Sequence, residues 1–382
     1  MFSNITVKVQ VFSNSPIAME ERGDSVRMTY GNYLRLEEML KLQEGPDGYS
    51  PKPCNDEKHF IIVHQAFELW FKLVISELKE VHKLMDSEKI SEQSMPKIVR
   101  HLNRVTEVFD LMSQQWKVME TLTPQDFLSF RDRLGTSSGF ESWQLRQIEI
   151  MLGLEQQQRD AGMDPLSHMK RLESEGKISS NVLTEFEIMI ESPSLNDLLT
   201  NWLSRTPING SLARELNDNE VVSRYINGHL DAMNEHSKMV ISHFKSIGHG
   251  NESTLGDRLQ KSIQGAKEFL IPNGEINRSR AGLLFIESYR NLPLLSWPRT
   301  LIDSFVKVEQ SILLFRNSHA RMVERMIGRR MGTGGSSGVD YLDATLKYRI
   351  FVDLWTVRTI LVKRELLPRV VNPEYYGFNS QS

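Results

Sequence analysis

The run from 56 to 72, DEKHFIIVHQAFELWFK, constrains this chain more than any other stretch. Phe60, His64, Phe67 and Phe71 recur at spacings of four, three and four, which sets them on one face of an α-helix. Ile61, Ile62, Val63, Leu69 and Trp70 occupy the other faces, so the helix is apolar nearly all round and belongs inside the protein. Asp56 and Glu57 suit the positive end of its dipole, and the pattern carries it on to about Met85. His64 is therefore buried. It is either a core histidine satisfied by a carbonyl or a functional group, and spacing alone leaves both readings open.

The rest of the chain supplies partners for such a helix. A second long helix is expected from Ser94 or Pro96 to about Thr121, with Ile98, Leu102, Val105, Val108 and Phe109 at helical spacing. Thr123 is an N-cap and Pro124 a first-turn residue for a short helix carrying Phe127, Phe130 and Arg131. After a Gly/Ser loop at 135–140, WQLRQIEIMLG reads as an amphipathic helix stopping at Gly153. Helices are expected at 179–191, 194–204 and 217–246, then from Arg280, from about Pro298 to Ile327, and over 339–362. No sustained period-2 alternation appears, so the class is all-α, a helical bundle. The organisation expected is an arm at 1–29 with a short strand at Ile5 to Phe12, one domain over 30–368 with an additional helical subregion at 155–280, and a tail at 369–382.

A second histidine lies on an apolar stripe. His319, Met322, Val323, Met326 and Ile327 share one face of a helix ending at Gly328. The following RRMGTGGSSG is too rich in glycine for packing alone: Gly334 and its neighbours allow close backbone approach to a ligand, and Thr333, Ser336 and Ser337 offer hydroxyls. A haem needs one basic nitrogen among aliphatic and Met side chains, so His319 is a candidate axial iron ligand, with a core histidine as the alternative. Arg131, between phenylalanines and a Gly/Ser loop, is placed to bind a carboxylate. His64 and Glu68 have the i, i+4 spacing of paired metal ligands, but no second Glu-x-x-His supplies the rest of a di-metal site. GTGGSSG lacks the strand and lysine of a phosphate loop.

Composition excludes other partners. A net charge of −3 with interspersed signs gives no footprint for nucleic acid or an anionic membrane, and no run approaches the roughly 20 apolar residues of a membrane helix. The single Cys54 precludes an intramolecular disulfide framework, and the first residues lack the form of a signal peptide, so the chain reads as cytoplasmic.

The runs YGNYLRL, DEKHFIIVHQAFELWFK, TPQDFLSFRDRL, SSGFESWQLR and HARMVERMIGRRMGTGGSSGVDYL resemble the tryptophan 2,3-dioxygenases, over about 30–153 and 280–368. The resemblance implies an all-helical homotetramer, a dimer of dimers, with one haem b per subunit, joining O2 to L-tryptophan to give N-formyl-L-kynurenine. His319 matches the proximal iron ligand, and His64 the distal histidine accepting a hydrogen bond from the indole N–H. Phe60 matches the phenylalanine packed on the indole, Arg131 the partner of the substrate carboxylate, and Thr333 the threonine holding the carboxylate and ammonium groups. Ser138 matches a serine near the haem, with Gly334 as a further cofactor contact, and Tyr30 and Tyr33 match tyrosines delivered by a neighbouring subunit. Glu141, Trp143 and Leu145 depart from the family pattern, which keeps open a relative acting on a substituted tryptophan, including one that inserts a single oxygen, and thirdly a haem sensor without turnover.

Overall fold

The computed structural model describes residues 28–377 apart from 136, 156–158, 160–163, 248–251 and 331–337. The expected strand at 5–12, Thr333 and Gly334 lie outside the described residues. The described residues fall into two units, one over 28–53 and the other from Cys54 onward. In the first, α1 (Tyr30–Leu34) is capped by Thr29, whose hydroxyl accepts from the Asn32 amide, and α2 (Leu36–Met39) follows at once. Tyr30 and Tyr33 are exposed within that unit.

The second unit is built on three long helices, α3 (Asn55–Met85), α4 (Met95–Met119) and α13 (Ser296–Ile327), with α4 packed along both others. Each presents an apolar stripe at three- and four-residue spacing: Val63, Phe67, Phe71, Val74 and Leu78; Leu102, Val105, Phe109, Met112 and Trp116; Leu301, Phe305, Val308, Ile312 and Phe315. These stripes meet in one core, where each fully buried large side chain contributes about 1.5–3 kcal/mol of transfer free energy. Burial of α3 on every side is corrected: Ile62 and Leu69 are 52% and 59% exposed. Helix α5 (Pro124–Arg131) starts at the expected Thr123 cap, and α6 (Trp143–Leu152) ends at Gly153, whose φ of +104° is the left-handed turn that favours glycine.

The middle of the chain is helical as expected, with α8 (Ser180–Glu191), α9 (Leu195–Ser204) and α10 (Asp218–Ser246) close to the anticipated bounds. Two further helices, α7 (Pro165–Ser174) and α11 (Glu252–Leu270), escape the periodicity argument. Only part of this region stands apart: α7 and α8 enclose a small core of Met169, Leu172, Ile178 and Phe186, while α9, α10 and α11 bury Leu199, Tyr225 and Leu270 in the main one. Helix α12 (Arg278–Ser288) packs on α9 at Gly282, where a Cβ would stand 2.4 Å from the Leu203 carbonyl oxygen.

The single helix expected over 339–362 is two, α14 (Gly338–Thr345) and α15 (Val352–Thr359). The break is held by buried Glu309 of α13, whose carboxylate accepts from the amides of Ile350 and Phe351 and from the Trp355 indole. Among the described residues there is no strand, only an isolated bridge between Ile208 and Ser211.

Candidate functional site

The heptad-like face of α3 carries Phe60 and His64 inward, one turn apart, with ring centroids 4.1 Å from each other. Phe127 and Phe130 of α5 pack on the same Phe60 ring at 5.9 and 5.8 Å, so α5 closes one side of an aromatic cage. Trp116, near the end of α4, forms the floor between the two histidines. Its ring lies 6.4 Å from His64, 4.1 Å from Phe67, and stacks on His319 of α13 at 4.4 Å with planes only 5° apart. Phe315, one turn before His319, touches Phe67, Phe71, Phe109 and Trp116 and completes the wall. The two histidines, 255 positions apart by number, thus meet on the same Trp116 ring.

Electrostatics fix the protonation of both. The His64 Nδ1 lies 2.8 Å from the Phe60 carbonyl oxygen, which can only accept, so Nδ1 carries the hydrogen and Nε2 keeps a lone pair. Burial lowers the His64 pKa below its ordinary value, opposed in part by that carbonyl. Burial lowers His319 further, to about 3, with a smaller contribution from the His64 charge. Both rings are therefore neutral near pH 7. Neither ring nitrogen of His319 hydrogen-bonds to a described residue, and the buried indole N–H of Trp116 has no partner either.

Arg131 closes α5 directly after Phe130. The turn that follows is stapled to the first turn of α3: Arg133 Nη1 donates to Glu57 Oε2 at 2.6 Å, and the Glu57 side chain is only 2% exposed. The Glu57 carboxylate thus ties the Arg131 segment to the helix bearing Phe60 and His64. Ser138 is half-buried in the loop between α5 and α6, and its carbonyl accepts from the Glu141 amide at 2.9 Å. Glu141 itself pairs with Lys177 at 2.7 Å. Glu68 accepts from Gln144, at 2.9 Å on its carbonyl and 2.8 Å on its carboxylate, so it braces α6 against α3 rather than joining His64 as a ligand.

The structure therefore brings Phe60, His64 and His319 into one cage and sets Arg131 at the end of a helix that walls it. Tyr30 and Tyr33 belong to the other unit, and Thr333 and Gly334 lie outside the described residues. Sequence reasoning missed Trp116, although it continues the α4 stripe two turns beyond Phe109.

Two neutral imidazoles from different helices thus meet in one aromatic cluster of an all-α protein. The chain belongs to the tryptophan 2,3-dioxygenase family, whose sequence model matches residues 17–361. It is 40% identical over 373 residues to the Tryptophan 2,3-dioxygenase 2 of Ralstonia nicotianae, covering 93% of this chain and 99% of that protein. The Tryptophan 2,3-dioxygenase of Sorangium cellulosum is 40% identical over 369 residues, covering 92% of this chain and 87% of its own. A Tryptophan 2,3-dioxygenase-like protein of Xanthomonas campestris is 40% identical over 269 residues, 67% of this chain and 98% of that one.

Proposed function

We propose that this protein is a haem-dependent dioxygenase that inserts both atoms of O2 across the indole C2=C3 bond of L-tryptophan, giving N-formyl-L-kynurenine. Family membership supports the reaction class. The observation that carries the cofactor assignment is His319: a half-buried imidazole stacked on Trp116, neutral down to about pH 3, with neither ring nitrogen hydrogen-bonded among the described residues. A neutral ring nitrogen in an apolar wall fits an axial iron ligand, and the orphaned Trp116 N–H fits a hydrogen-bond acceptor on the same group. Bound there, ferrous haem would supply the iron that takes up and activates dioxygen.

The remaining work falls to the chain's own residues. His64 Nε2, left bare by the Phe60 carbonyl, accepts the indole N–H and orients the ring; an indole is too weak an acid to need a full base. Phe60, Phe127 and Phe130 hold the indole by ring contacts and exclude water. Arg131 takes the substrate carboxylate, and Thr333 the carboxylate and ammonium, so that C2 and C3 are set toward the oxygen. Ser138 and Gly334 would help to hold the haem.

Tyr30 and Tyr33 reach the pocket of a neighbouring subunit in a homotetramer. Exposed apolar side chains on the long helices, Ile62, Leu69, Leu111, Val118 and Leu314, support such assembly. No helix among the described residues is long and apolar enough to cross a membrane. The single cysteine fits a reducing cytoplasm.

Mixing the reduced, haem-replete protein anaerobically with L-tryptophan and then admitting oxygen tests the reading. Appearance of N-formylkynurenine absorbance supports it. An oxindole or hydroxylated product would replace dioxygenation by single-oxygen insertion, and no product at all would leave a non-catalytic haem protein.

A further inference from the structure

A buried ion cluster lies one helical turn from His319. Arg316 of α13 donates through Nη2 to Glu149 Oε1 of α6 at 2.8 Å and through Nη1 to the Thr345 carbonyl of α14 at 3.4 Å. The other Glu149 oxygen accepts from Arg146 at 2.8 Å and from Arg159 at 2.7 Å. The Arg316 guanidinium sits 5.1 Å above the Tyr348 ring. The side chains of Glu149, Arg316, Arg146 and Arg159 are 5%, 9%, 8% and 3% exposed, so the cluster is inside the protein.

One carboxylate thus joins three segments that flank the site. Helix α6 follows the loop containing Ser138, α13 carries His319, and α14 follows the stretch containing Thr333. Stability alone does not call for charges here, since apolar side chains of similar volume commonly serve a buried position as well or better. What a planar guanidinium on a carboxylate adds is direction: two donors fix both the angle and the register of the helix that bears them. Arg316 stands three residues before His319 on one rigid helix, so its anchorage sets the rotation of α13 at the histidine.

We propose that Glu149 is a positioning residue: through Arg316 it holds α13 in a single register against α6 and α14 and so sets the direction in which His319 presents its ring nitrogen. The proposal rests on His319 being the iron ligand. Partners that orient a metal-binding histidine typically change metal retention by 10- to 100-fold when removed.

The test compares Arg316→Met with Arg278→Met in the haem-loaded full-length protein. Arg278 makes an ion pair with Asp218 at 2.9 Å that shares no residue with the aromatic cage, and its loss controls for simple destabilisation. Haem retention is read from the Soret band and ligand direction from the iron–histidine stretch in the Raman spectrum of the reduced protein. Arg316→Met is expected to release haem about 10-fold faster and to shift or split that stretch, with Arg316→Lys intermediate and Arg278→Met unchanged in both. If Arg316→Met does not fold, Arg316→Lys, which keeps the charge and one hydrogen bond, carries the comparison. Wild-type haem with Arg316 variants indistinguishable from Arg278→Met overturns the proposal alone. A wild-type protein with no Soret band overturns the functional reading and this proposal with it.

Discussion

His64 gives its Nδ1–H to the carbonyl oxygen of Phe60, 2.8 Å away and one turn earlier on the same helix. That bond uses an acceptor already committed within the helix and leaves Nε2 with a lone pair. Because burial lowers the His64 pKa from 6.5, the ring is an acceptor at that pH and above, and protonates only at lower pH. The pH profile of kcat/KM is accordingly expected to show no inflection from His64 between about pH 8 and 6.5. His64→Ala should lower kcat/KM by about 10-fold, the upper size of one neutral hydrogen bond. A wild-type inflection near 6.5 that vanishes in His64→Ala would mean that the ring works in its charged form.

Glu57 acts at one remove on Arg131, the residue proposed to hold the substrate carboxylate. Its buried carboxylate holds Arg133, two residues beyond Arg131, against the turn of α3 that leads into Phe60. Glu57→Gln keeps the volume and removes the charge, so the turn after Arg131 is held less firmly to α3. The expected result is a KM for tryptophan raised about 10-fold, equivalent to roughly 1.4 kcal/mol, with kcat little changed. A KM equal to wild type in a protein of lowered thermal stability would confine the pair to a structural role.

The legible parts of this fold are those governed by local chemistry. Thr123, Pro124 and Gly153 mark helix ends because caps and left-handed turns act within a few residues, and α3 is readable because its apolar period spans several turns. The inward direction of His64 and His319 follows from the same periods, although both rings are half-buried rather than buried. Glu149 and Arg146 were not legible, since charges on an amphipathic helix read as its solvated side, and the partner that draws Glu149 inward lies 167 positions away. Distance in sequence also hid the break between α14 and α15, because Glu309 supplies its hydrogen bonds from 41 positions upstream. Trp116 carries the right period for the core, but its stack on His319 depends on how α4 meets α13. The resemblance was needed to give Arg131 a substrate.

Gly282 measures how closely α12 approaches α9. A Cβ there would stand 2.4 Å from the Leu203 carbonyl oxygen and 2.9 Å from Thr206 Cβ, and a backbone oxygen cannot swing aside as a side-chain tip can. Alanine gains about 1 kcal/mol of helix propensity over glycine, but forcing the helices apart costs about 1–3 kcal/mol. Gly282→Ala is expected to lower the melting temperature by a few degrees. A melting temperature equal to or above wild type would show that the α9–α12 contact has slack.

Acid should disclose the ion cluster before it reaches most of the core. Burial alone would raise the Glu149 pKa, but Arg146, Arg316 and Arg159 outweigh that and hold it down from 4.5 to about 2. A carboxylate with a depressed folded pKa contributes stability that is fully present above its unfolded value and is lost as pH falls toward the folded one. The window is therefore about pH 4.5 down to 2, and the shift corresponds to on the order of 3 kcal/mol. Urea unfolding followed from about pH 6 to 3 is expected to give a falling midpoint in the wild type and a flatter one in Glu149→Gln, which starts lower because three buried guanidiniums lose their shared partner. Parallel pH slopes for the two proteins would mean that the Glu149 carboxylate is not held ionised by its arginines, and the register it imposes on α13 would lose its physical basis.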